Sequence, residues 1–214
     1  MKMKNTNQKL LVSSGMIILC LFLFIVFPTE NLFQKTISYI TFLVAVPLLY
    51  VKIVLKEKLR RYGLQKGEWK KGIFWAISSL LISLAILYLL INYFGFSYKY
   101  IFPSPVGEKF FYFVLYEILL VGIYVFMYEF FFRGFVMFSF AGVARFWSVI
   151  IQFILFLTFV FFIGGLKWTM AYYIILAPLA GFTAYRSRSI IYSLASSWIF
   201  IIIADSWVIK ILKQ

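Results

Sequence analysis

The chain has 214 residues, 64% of them hydrophobic and 13% charged, with a mean hydropathy of +0.97. Soluble domains hold about 45–50% apolar residues. This composition therefore excludes a soluble globule and reads as one integral membrane domain, residues 1–214. The formal net charge of +14 does not point to nucleic acid. The basic residues stand between apolar runs, where they act as topology signals and contacts for the lipid bilayer's anionic headgroups.

Apolar runs of about 17–25 residues mark membrane helices. The first, LVSSGMIILCLFLFIVFP (11–28), reads as a retained span, because it is long for a signal-peptide core and the following PTENLF lacks a small-residue cleavage site. A second covers 36–55. Next comes the longest basic stretch, VKIVLKEKLRRYGLQKGEWKKG (51–72). It reads as a cytoplasmic loop obeying the positive-inside rule, with an amphipathic segment on anionic lipid, or one docking a partner, as the alternative. Further spans follow at 73–95, 110–132, 147–165, 168–184 and 189–208, seven in all. GFVMFSFAGVARF (134–146) is where an eighth, short or interfacial helix would fall. The expected fold class is all-α, a polytopic transmembrane helical bundle. With the N-terminus inside, inner segments carry 15 of the 21 Lys and Arg, Arg133 among them, and outer segments carry 6. That bias predicts a cytoplasmic N-terminus and an external C-terminus.

Absences narrow the chemistry. The chain has no histidine, which removes His-ligated zinc or iron, Ser–His proteolysis and any Cys–His dyad. Cys20 is the single cysteine, so no intrachain disulfide forms and the residue acts as a small hydrophobe. Asp205 is the single aspartate, so two aspartates cannot share a proton. Glu117 and Glu129 are 12 apart in one run, about 120° around a helix, and do not share a face. No metal or cofactor is expected.

The polar residues that remain centre on MYEFFFRGF (127–135). A lone charge near the middle of a membrane helix costs about 2.5–3.5 kcal/mol. Glu129 and Arg133, four apart with the acid first, are spaced to form a pair. The expected geometry is a bidentate fork facing the bundle and holding this helix against Ser189, Ser193 and Ser197, which recur every fourth residue. That stripe by itself reads as close helix packing. The alternative for Arg133 is snorkelling to the headgroups. Gln152, Thr158, Thr169, Thr183 and Ser196 are the other groups that could meet the pair.

YEFFFRGF resembles the first signature of the CPBP family of intramembrane proteases, also called the Abi or CAAX-protease family. There, two adjacent glutamates are followed after three residues by arginine and usually glycine. Glu129, Arg133 and Gly134 match, while Tyr128 stands at the first glutamate. Trp147 suits the family's later tryptophan. Ungapped counting puts the first histidine near Phe161 and its preceding phenylalanine near Leu157. SIIYSLASSWIFII (189–202) is similar to the third signature, with Ser197 nearest the second histidine and Ile201 nearest the asparagine. The likeness spans roughly 110–205. It implies the family's fold, and it argues against activity, since tyrosine, phenylalanine and serine supply no base near neutral pH.

The resemblance therefore implies a non-catalytic member that binds a membrane protein, a lipid or a lipidated peptide. Bacteriocin self-immunity and cell-envelope or surface display are the roles it suggests, in a bacterial plasma membrane. Two other classes stand beside it. One is an active glutamate-type peptidase using Glu129 or Glu117. The other is a small transporter, disfavoured by the lack of an inverted repeat and the few intramembrane charges.

Overall fold

The computed structural model describes residues 6–95, 106, 109–165 and 170–212, and among these the chain is helical with no strand. Among the described residues seven long helices carry the fold: α1 (Thr6–Val26), α2 (Leu32–Val54), α3 (Trp69–Phe94), α4 (Phe110–Ala144), α5 (Trp147–Gly164), α6 (Ala171–Ser187) and α7 (Ile190–Leu212). In lipid a helix satisfies its own backbone, which is why apolar runs of this length fold this way. Six are long and apolar enough to cross a membrane. The sixth in chain order, α6, has 17 residues. The expected run 168–184 began at residues 168–169, which lie outside the described residues, as do Lys2, Lys4, Lys99, Lys167, Lys213 and Thr169.

One expectation changes. α4 does not stop near 132; it continues to Ala144, so 134–146 forms no separate helix. Nothing in FVMFSFAGVA breaks a helix, and the turn comes only at Arg145, where φ reaches 49°. With 35 residues, α4 is roughly 50 Å long, more than the ~30 Å apolar slab. Arg133 thus lies well inside the helix rather than at its end, which removes it from the inner-loop charges counted above.

α2 and α4 are not uniform. Tyr39–Ala45, Tyr50–Val54, Tyr116–Val121 and Glu129–Met137 wind in the wider π geometry, a form frequent at functional sites. Every residue of Glu129–Met137 is buried. α5, α6, α7 and the Tyr39–Ala45 stretch of α2 pack against this segment, while α3, α6 and α7 pack together beside it. The core around it is aromatic, with the Phe132 and Phe156 rings edge-on at 5.1 Å.

The basic stretch 51–72 is neither an amphipathic helix nor a free loop. Its ends belong to α2, which runs to Val54, and to α3, which starts at Trp69; between them, apart from one tight turn at Leu59–Tyr62, the chain is irregular and fastened to the α6–α7 junction. The Glu68 N–H donates to the Ser187 carbonyl at 2.8 Å, the Ile190 N–H to the Gly63 carbonyl at 3.0 Å, and Gln65 Nε2 to the Arg188 carbonyl at 3.1 Å. Gly67 makes the approach possible. Its φ is +57°, and a Cβ there would lie 2.2 Å from the Ser187 carbonyl oxygen. Gly67→Ala is therefore expected to lower stability by about 2–3 kcal/mol, from backbone strain plus the displaced contact, and thermal unfolding in detergent would register it. An unchanged transition would mean that the loop is not docked.

Two carboxylates pin the same loop. Glu57 takes Lys9 Nζ at 2.8 Å on both oxygens, Arg61 at 2.6 Å and the Tyr62 hydroxyl at 3.0 Å. Glu68 takes Lys71 at 2.5 Å. Partial burial pushes the Glu57 carboxyl up, but the hydrogen bonds and charges of Lys9, Tyr62 and Arg61 outweigh it and hold the group below its ordinary value. The hydrogen bond from Lys71 holds Glu68 low. A carboxyl lowered by folding stabilises the fold above its ordinary value of 4.5, and that contribution disappears as pH falls through the lowered value. Proteolytic nicking within 55–68 is expected to accelerate on acidification below the ordinary carboxylate range. Equal nicking above and below it would contradict these contacts.

These contacts also fix direction. The start of α1, the end of α2, the start of α3, the end of α6 and the start of α7 meet at one end of the bundle, and Phe138, on the last turns of α4, joins them. Consecutive helices thus alternate up and down.

Candidate functional site

Glu129 sits at the first residue of the π segment of α4, facing α7. Ser193 and Ser197 are one helical turn apart on α7, so their hydroxyls lie one above the other and match the two carboxylate oxygens. Ser193 Oγ donates to Glu129 Oε2 at 2.6 Å and Ser197 Oγ donates to Oε1 at 2.9 Å. All three residues are buried.

Arg133 completes the cluster with a geometry unlike the expected fork. Its Nε lies 3.7 Å from Glu129 Oε1 and has no hydrogen-bond partner. The guanidinium lies over the Phe156 ring, 5.4 Å from its centroid. Its side chain is 4% exposed, so it does not snorkel. The physical reason lies in competition: the serine hydroxyls occupy the carboxylate, and the arginine settles for one long contact and an aromatic face.

Other expected partners go elsewhere. Ser189 caps α7, its Oγ accepting the Ile191 N–H at 3.2 Å, and Ser196 turns back to the Ser193 carbonyl. Gln152 donates to the Ala177 carbonyl at 3.0 Å, beside Pro178 of α6. Thr183 meets Ser79 at 2.6 Å, and Thr158 is exposed and bonded to its own helix at Ile154. Gln152 and Thr183 join helices, the other three bond within their own, and none reaches Glu129.

Tyr128, at the first-glutamate position, shares a hydrogen bond of 2.9 Å with the Tyr39 hydroxyl and packs against Phe156, Phe159 and Tyr173. With Glu129, Arg133, Ser197 and Ile201 it lines one cavity of about 10 Å³, room for a single water. Phe161 is not there. It is 60% exposed on the outer face of α5, about 140° around the helix from Phe156, and Phe156 is the α5 ring that lines the cavity. Trp147 is exposed as well. Phe161, reached by ungapped counting, therefore does not join Tyr128 and Ser197 at the cavity.

Glu117 and Asp205, named singly from the sequence, form a second buried acid group. Glu117 on α4 is 2% exposed. Asp205 on α7 is equally buried, and its charge acts on Glu117. Comparing acids around one helix hid this. Glu117 precedes Glu129 by twelve residues, and Asp205 follows Ser193 by twelve. In an antiparallel pair anchored at Glu129–Ser193, that register puts the two acids at one level.

Among the described residues no group of three or more His, Cys, Asp or Glu could hold a metal ion. Neither protein-family models, curated proteins nor solved structures yielded a match to the chain.

Proposed function

We propose that this chain is a non-catalytic, CPBP-like multi-pass protein that works by binding a membrane partner, either a membrane protein or a lipidated peptide. The observation that carries the reading is the closed state of the Glu129 cluster. Positions Tyr128, Glu129, Arg133, Ser197 and Ile201, which the family resemblance assigns to a site, line one cavity, yet that cavity has only about 10 Å³. Its sole carboxylate already accepts two serine hydroxyls and faces an arginine. A peptide bond cannot enter it, and no side chain there is free to take a proton from water. The alternating helices and the basic end that gathers Lys9, Arg61 and Lys71 support seven spans with a cytoplasmic N-terminus in a bacterial plasma membrane. Bacteriocin self-immunity or surface display are the roles that fit a binder of this kind.

The test is a photoactivatable farnesylated peptide offered to the purified protein in liposomes. Saturable labelling with the peptide intact is expected. Absence of saturable labelling, together with no crosslinked protein partner in native membranes, would defeat the reading.

One observation favours a second reading, an ion-coupled transporter. Glu117 and Asp205 are two acids buried together in an apolar bundle, a placement that marks ion pathways in other membrane proteins. Ion uptake into proteoliposomes that is lost in Glu117→Gln would establish it; equal uptake by empty liposomes would dismiss it.

A further inference from the structure

At the basic end of the bundle a cleft of about 650 Å³ opens between the docked loop 55–68, the last turns of α4 and the α6–α7 junction. Five cationic side chains line it, Lys9, Arg61, Lys71, Arg186 and Arg188, against two carboxylates, Glu57 and Glu68. Each carboxylate bridges two of the cations: Glu57 holds Lys9 and Arg61, and Glu68 holds Lys71 and Arg188. Arg186 makes no salt bridge among the described residues, although its charge reaches Glu68; its guanidinium rests on the Trp75 and Phe182 rings at 5.7 and 5.9 Å. The lining therefore carries three positive charges in excess, on side chains already steered by ion pairs and aromatic faces.

The positive-inside rule accounts for basic residues at this end, but not for their convergence. They come from α1, the 55–68 loop, the start of α3 and the end of α6, brought together by the backbone bonds that dock the loop. Arg188 is held at φ 56°, a position after a helix where glycine is usual, and it still lines the cleft. The volume suits a small ligand rather than a polypeptide.

We infer that this cleft binds a phosphate-bearing anion, and its surroundings favour the phosphate of an anionic lipid headgroup. Trp69 stands exposed, next in the chain to Glu68 of the cleft lining, and tryptophan settles at headgroup level. Guanidinium groups pair with phosphate oxygens two at a time, and Arg186 and Arg188 supply two such forks at one rim. The inference does not depend on what Glu129 does.

The test is native mass spectrometry of the full chain from mixed micelles of phosphatidylglycerol and phosphatidylcholine. The wild type is expected to retain phosphatidylglycerol preferentially. Arg186→Gln/Arg188→Gln, both exposed and outside the core, should lose that retention roughly five-fold per charge, about twenty-five-fold for the pair. Lys66→Gln/Lys70→Gln removes two charges from the same end but not from the cleft, and should retain lipid as the wild type does. Displacement of the lipid by millimolar glycerol 3-phosphate would show that free phosphate compounds use the same site. No preference over phosphatidylcholine, or equal loss in both double variants, would overturn the inference, since either shows only a diffuse basic surface.

Discussion

Arg133→Ala is expected to destabilise the protein by about 3 kcal/mol, the lower end of the range for stripping one partner from a buried ion pair. It is not more, because Ser193 and Ser197 still hold the stranded carboxylate. Arg133→Lys should recover about half of that. The contact with Glu129 is a single long edge at 3.7 Å, which an ammonium can replace, but the guanidinium's contact with the Phe156 face is lost. Glu129→Gln combined with Arg133→Met should return close to wild-type stability, since no buried charge is left unpaired. Thermal unfolding in detergent and abundance in the membrane read all three variants. If all three match the wild type, the cluster contributes nothing to holding α4 in the bundle.

Removing the donors should cost as much or more. A hydrogen bond to a charged group contributes about 1.5–3 kcal/mol, so Ser193→Ala/Ser197→Ala is expected to lose about 3–6 kcal/mol and either single variant about half. Glu129→Gln placed in the double-alanine background should recover part of the loss, because a neutral amide is cheaper to leave buried. Ser189→Ala is the control on the same stripe. That hydroxyl caps α7 and does not touch Glu129, so its loss should stay near 1 kcal/mol. Equal effects at 189, 193 and 197 would mean that the stripe acts through packing alone.

Much of the helical frame was legible because membrane spans are written in length and hydropathy, which need no tertiary knowledge. The Glu129, Ser193 and Ser197 positions were legible for a related reason: charges and hydroxyls four apart must share a helix face. What the sequence did not show depends on how helices meet. The arginine fork failed because two hydroxyls compete for the same carboxylate, and that competition exists only once α7 is in place. The Glu117 and Asp205 level needed the antiparallel register of α4 and α7, whose anchoring contact joins residues 64 apart in sequence. The docking of 55–68 rests on backbone bonds to Ser187 and Ile190, yet Gly63 and Gly67 spaced four apart were a usable hint of a shaped turn. α4 overran its expected end because no residue after 132 stops a helix before Arg145.

The Glu129 cluster is a closed contact that ties α4 to α7, and on the proposed reading it cleaves no peptide. Tyr128→Glu restores one carboxylate at the position where the family resemblance places it, beside a cavity with no imidazole. The direct measurement is mass spectrometry of a farnesylated peptide after prolonged incubation with wild type, Tyr128→Glu and Glu129→Gln in proteoliposomes. Intact peptide is expected from all three. New fragments produced by the wild type or by Tyr128→Glu, and absent with Glu129→Gln, would contradict it.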